Sequence, residues 1–154
     1  MKTVSSSAGA TVLRWMLALV LIWAALGKIA NPHEFHTAIL AYRIPLPEVL
    51  SRTAAIIIPW LELLCGLILA ANFRRHAALF WAFALFASFT IITGQAWARG
   101  LQIHCGCFDL RILGLTKDSS ISTALESPLF AVIRAAVLAT LAFFLIRREA
   151  RGER

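Results

Sequence analysis

The stretch AAIIIPWLELLCGLILA, residues 54–70, decides the fold. It is apolar throughout except for one carboxylate, Glu62, and it is long enough, with its neighbours, to cross a bilayer. A crossing helix needs about 20 mostly apolar residues. Glu62 and Cys65 stand three apart and so share a helix face. Pro59 removes a backbone donor just before them, and a proline at an interior position is expected to kink the helix. A carboxylate at such depth costs a few kcal/mol on insertion scales, and it is held by pairing or by facing the interior of a bundle.

Working outward, three more windows of the same kind are found. The four together cover about 11–31, 53–73, 77–98 and 127–146. The third carries no charge. The first has an uncharged centre from Trp15 to Gly27, with Arg14 and Lys28 placed to snorkel to opposite interfaces. A cleaved signal peptide is the rival reading of that window, because Ala25-Leu26-Gly27 passes as a small-residue cleavage site. Composition agrees with a lipid-embedded chain. Of 154 residues, 60% are hydrophobic and 15% charged, against about 25% charged in a soluble domain, and the mean hydropathy is +0.77. The expected fold is all-α, a four-transmembrane-helix bundle forming a single integral membrane domain over residues 1–154. Between the first two spans, NPHEFHTAILAYRIPLPE (31–48) is punctuated by Pro32, Pro45 and Pro47. It suits a short interfacial helix with Phe35, Ile39 and Tyr42 on its apolar side.

The net charge of +7 does not mark a nucleic-acid binder, since the basic residues form no aromatic-interleaved stripe. They flank the apolar runs. Arg74 and Arg75 lie in the tight turn after span two, and the C-terminal RREARGER (147–154) holds four arginines. Dense Lys and Arg mark the cytoplasmic side. Four spans put both termini there, in the cell (inner) membrane of a bacterium. The loop after span three then faces the periplasm or exterior, where thiols oxidise and disulfides persist.

That loop contains GLQIHCGCFDLR, residues 100–111. Two cysteines flanking one glycine can bridge only if the chain turns back sharply, and Gly106 permits such a turn. A ring that small is strained, and strained disulfides are the labile, oxidising kind. His104 can favour the thiolate, the attacking form. The spacing therefore suits a redox pair, Cys105 and Cys107, tuned by His104. Free unreactive thiols, and a metal site built from Cys105, Cys107 and His104 with His33 or His36, are the alternatives. No metal is expected, because structural zinc sites space their cysteines more widely. Cys65, near mid-membrane, reads as a small core hydrophobe or a third redox thiol.

Polar residues also gather in the membrane on the side of that loop. Glu62 lies roughly 13 Å and Arg134 roughly 10 Å deep at 1.5 Å rise per residue. The matched depths suggest a Glu62–Arg134 pair, with Lys28 competing for the carboxylate. With Gln95, Trp60 and Trp97 nearby, Lys28, Glu62, Gln95 and Arg134 form a candidate pocket for an electron acceptor such as quinone. The contrary reading is that they merely hold helices together.

LGKIANPHEF (26–35), AYRIPLP (41–47), PWLELLCGLIL (59–69) and ARGLQIHCGCF (98–108) resemble the methylamine utilisation protein MauE family, within the wider DoxX-like four-helix membrane proteins. The resemblance runs over essentially the whole chain. It departs at Asp109, where the family block usually continues with Gly. It implies an accessory role in maturing methylamine dehydrogenase, or a similar disulfide-rich periplasmic protein, beside a thioredoxin-like (MauD-like) partner. Carried over, Cys105 and Cys107 are the redox pair, with Lys28 and Glu62 as family-pattern polar positions. A non-catalytic assembly factor and a metal-handling membrane protein remain the competing functions.

Overall fold

The computed structural model describes residues 8–101 and 128–152. In these the chain forms α1 (Ala8–Ala30), α2 (Pro32–Ala41), α3 (Glu48–Ala70), α4 (Arg75–Ala98) and α5 (Pro128–Gly152), with no strand among the described residues. Four stretches, Gly9–Ala30, Glu48–Ala70, His76–Ala98 and Leu129–Arg151, are long and apolar enough to cross a membrane. The architecture is that of a multi-pass membrane protein.

Local chemistry sets the breaks. Asn31, preceding Pro32, leaves helical geometry at φ −131 and ψ 69, because a proline disfavours the α conformation in the residue before it. Pro32 then occupies the start of α2, where its missing N–H costs nothing. The expected short helix between the first two spans is therefore present. Its Phe35 and Tyr42 are buried and Ile39 is half-buried. Left-handed Arg43 (φ 49) follows, and Pro47 caps α3.

α3 begins at Glu48, five residues before the expected Thr53. Arg52 Nη2 meets Glu48 Oε1 at 2.6 Å one turn away, and Thr53 Oγ1 donates to Val49 O at 2.8 Å, so the polar first turns are helical although they lack apolar character. Pro59 stands inside α3 without ending it. At the far end α3 turns into α4 through left-handed Asn72 (φ 58) and Arg74 (φ 41). The Arg14 guanidinium donates to the Asn72 side-chain carbonyl there, fastening α1 to the turn.

Buried positions recur every three or four residues. On α1 they are Leu17, Ala18, Leu21, Ala25 and Lys28. On α3 they are Ser51, Ala55, Pro59, Glu62, Cys65, Gly66 and Leu69. α1 packs chiefly on α3, and α4 on α5. At Gly66 α3 and α1 come so close that an added Cβ would stand 2.8 Å from Ile22 Cγ1 and 3.1 Å from Ala18 O. α5 meets α4 through Ala131, Ala135, Ala139 and Ala142. Small interfacial residues let helices approach closely where lipid supplies no hydrophobic drive for association. The outward faces carry exposed Ile57, Leu64, Phe80, Ile91 and Val137, an apolar surface suited to acyl chains.

Candidate functional site

Lys28 lies in the last turn of α1, two residues from its end, yet it is only 3% exposed. Two features bury it. α3 presents the Glu62 carboxylate to the ammonium from its interior, and α2 folds Phe35 over it. Lys28 Nζ donates to Glu62 Oε1 at 2.5 Å and to Oε2 at 2.7 Å, with side-chain exposures of 2% and 9% for the two partners. The Phe35 ring of α2 lies 5.0 Å from Nζ and the Phe89 ring of α4 lies 5.3 Å away. Both are within cation–π range, an attraction worth about 2 kcal/mol when desolvated. One ammonium thus ties four helices together.

Glu62 faces inward because it continues the buried stripe of Pro59, Cys65 and Leu69. Trp60 falls on the opposite side and is 59% exposed. Trp97 is likewise 53% exposed, so the two tryptophans expected inside the polar region face outward instead. Between the α1–α3 pair and the α4–α5 pair runs a cleft of about 40 Å³. Lys28 and Glu62 line one side, half-buried Arg134 the other, and Leu21, Phe89 and Leu138 are among the apolar walls. A water needs about 10–15 Å³ on this measure, so the space suits two or three water-sized groups flanked by charge. A quinone ring would require the two helix pairs to separate.

The structure thus brings Lys28, Glu62 and Arg134 of the expected cluster to one cleft. Both carboxylate oxygens of Glu62 are bonded by Lys28, the competitor to Arg134. Gln95 does not join them: it is exposed on α4 and absent from the cleft walls. A depth count places residues at a level in the membrane but does not fix their face, which is how Gln95 came to be included. Cys65 Sγ is buried in the core with Leu17, Leu69 and Leu79 and donates to Ala78 O at 3.2 Å, as a packed thiol does. Cys105, Cys107 and His104 lie outside the described residues.

One contact had no signal in the sequence pattern. Ser51 is 1% exposed and gives its hydroxyl proton to Glu48 O at 2.9 Å. The His36 ring therefore acts as donor at 3.2 Å from Ser51 Oγ, pinning α2 to α3 beside Phe35. His33 is exposed, and among the described residues no three His, Cys, Asp or Glu side chains gather as metal ligands.

These features define a polytopic helical membrane protein whose core holds a buried Lys–Glu pair beside an intramembrane cleft. More particularly, the chain belongs to the MauE family: the family model described as methylamine utilisation protein MauE matches residues 6–148. It is 33% identical over 129 residues to the methylamine utilization protein MauE of Methylophilus methylotrophus, covering 83% of this chain and 62% of that protein. With the MauE of Paracoccus denitrificans it shares 32% identity over 102 residues, 62% of this chain and 52% of the relative. With that of Methylorubrum extorquens it shares 35% over 99 residues, 64% and 53%. The chain therefore spans between about half and 62% of the length of these relatives. No solved structure matches it.

Proposed function

We propose that this protein exchanges disulfide and thiol equivalents through Cys105 and Cys107 with a periplasmic thioredoxin-like partner. The exchange serves the maturation of methylamine dehydrogenase or a similarly disulfide-rich protein. The observation that carries this reading is one of placement. Leu101 and Pro128, from which the cysteine-bearing segment is suspended, lie at the end of α4 and the start of α5. That is the end of the bundle where Lys28, Glu62 and Arg134 line the cleft, and it is opposite the end where Arg14, Arg74 and Arg147 lie. Arginine density supports a cytoplasmic position for that other end, and with it a periplasmic one for the cysteines. The names of the relatives support the methylamine setting.

In the exchange, a partner thiolate attacks one sulfur of the Cys105–Cys107 disulfide and displaces the other as a thiolate. The partner's second thiolate resolves the mixed disulfide, so the partner leaves oxidised and the loop holds two thiols. Reoxidation passes two electrons and two protons to a membrane carrier, for which a quinone, reduced to its quinol, has the right chemistry. The reverse sequence delivers reducing equivalents outward. With the two helix pairs separated, the cleft at this end of the bundle offers the carrier a cationic and hydrogen-bonding lining in an otherwise apolar wall.

Trapping tests the proposal. With Cys105→Ser or Cys107→Ser, a covalent adduct with a thioredoxin-fold protein accumulates on non-reducing gels. No adduct from either variant, together with normal maturation in the double Cys→Ser variant, would leave a non-catalytic assembly factor as the better account. Labelling of intact cells with an impermeant maleimide after mild reduction checks the orientation.

A further inference from the structure

At the end of the bundle where α1 begins, α3 turns into α4 and α5 finishes, five arginines stand together: Arg14, Arg74, Arg147, Arg148 and Arg151. Among the described residues that end holds a single acid, Glu149, and its carboxylate lies 3.6 Å from His76 Nδ1. The other end is different. There two of the described cations have carboxylate partners, Lys28 with Glu62 and Arg52 with Glu48.

Two of these arginines lie against aromatic rings. The Arg147 guanidinium lies 4.7 Å from the Phe143 centroid and that of Arg74 lies 5.9 Å from Phe73. Phe73 is 64% exposed and Phe143 41%, so these rings sit on the surface where the apolar belt gives way to charge. A guanidinium held against a ring face keeps its in-plane N–H groups for paired hydrogen bonds to phosphate.

From this arrangement we infer that this end of the protein is a binding surface for anionic phospholipids. Charge supplies the attraction to the phosphodiester. The exposed rings select the form in which that phosphate arrives, because only a lipid brings acyl chains to cover Phe73, Phe143 and Phe144 beside the bound headgroup. A free phosphate would satisfy the arginines and leave these rings bare. Anionic lipid also provides counter-charge, for which Glu149 is the one acid at this end among the described residues.

The experiment uses the full chain in vesicles of phosphatidylcholine alone or with about one quarter phosphatidylglycerol, followed by native mass spectrometry of lipids retained on release. Phosphatidylglycerol is retained in preference to phosphatidylcholine, and added salt removes it. Each basic residue near a charged surface is worth about a fivefold change in affinity. Arg147→Gln/Arg148→Gln therefore weakens retention by about 25-fold, and Arg74→Gln, in an exposed turn that tolerates change, by about fivefold. Arg52→Gln, at the opposite end, leaves it unaltered. Equal retention of both lipids by the unaltered protein overturns the inference. So does full retention by the Arg74 and Arg147/Arg148 variants, or displacement of the lipid by millimolar inorganic phosphate.

Discussion

Replacing Lys28 by Met removes the ammonium but keeps most of the side-chain volume. Glu62 then loses both of its bonds, at 2.5 and 2.7 Å, in a place where its side chain is 9% exposed. Breaking a buried pair by deleting one partner costs about 3–5 kcal/mol, because it strands the remaining charge. Lys28→Met is therefore expected to destabilise the bundle by about 3 kcal/mol or more, a shift in the folding equilibrium of over 100-fold. The double variant Lys28→Met/Glu62→Leu strands nothing, and apolar replacement of a whole buried pair is often neutral. It should return to within about 1 kcal/mol of the parent, giving a coupling of roughly 2 kcal/mol or more, well above the few tenths found between independent sites. Reversible unfolding of the detergent-solubilised chain measures Lys28→Met, Glu62→Leu and the double variant against the parent. Additive costs for the two substitutions would refute the reasoning. The double variant also separates the two meanings of the pair: a folded protein without exchange activity assigns it to the redox pathway, and a folded, active one makes it a helix tie.

Three further outcomes are expected. Gly66→Ala puts a methyl 2.8 Å from Ile22 Cγ1 and should cost about 1–3 kcal/mol by overpacking, and Gly66→Ala/Ile22→Ala, which removes Cγ1, should cost less than the sum of its two single changes, read from the same unfolding curves. Ser51→Ala deletes the acceptor for His36 and should cost about 1 kcal/mol, with faster hydrogen exchange confined to residues 32–41. Cys65→Ala should leave thiol exchange intact at a stability cost of about 1 kcal/mol, and the parent Cys65 should resist maleimide until the bundle unfolds. Loss of exchange activity in Cys65→Ala would move that thiol from packing to chemistry.

Apolar length made the four crossings legible, and the prolines at 32, 45 and 47 marked the limits of the short helix. The start of α3 was not legible, since Glu48, Ser51 and Arg52 look like loop residues until the Arg52–Glu48 pair and the Ser51 bond to Glu48 O are seen. Lys28 and Glu62 were recognisable as intramembrane charges from sequence alone, and Lys28 stood among the possible partners of Glu62. Their pairing depends on how α3 sits against α1 and on where α2 lays Phe35, both of which are matters of tertiary packing. Gln95 and the two tryptophans show the limit of counting depth: a residue can sit at the right level and still face lipid. The cysteine pair was the plainest chemical signal in the chain, and it falls in the segment outside the described residues.

The grip on Lys28 has a consequence for assembly. Its holders arrive later in the chain than it does: Phe35 next, then Glu62, then Phe89. During synthesis α1 reaches the bilayer with its ammonium unmatched, and a lysine two residues from a helix end can wait by stretching its stem to the headgroups. Delivery of the carboxylate by α3 then draws it downward, and α4 closes the ring stack. The groups that bury Lys28 thus become available in the order Phe35, Glu62, Phe89 as the chain is made.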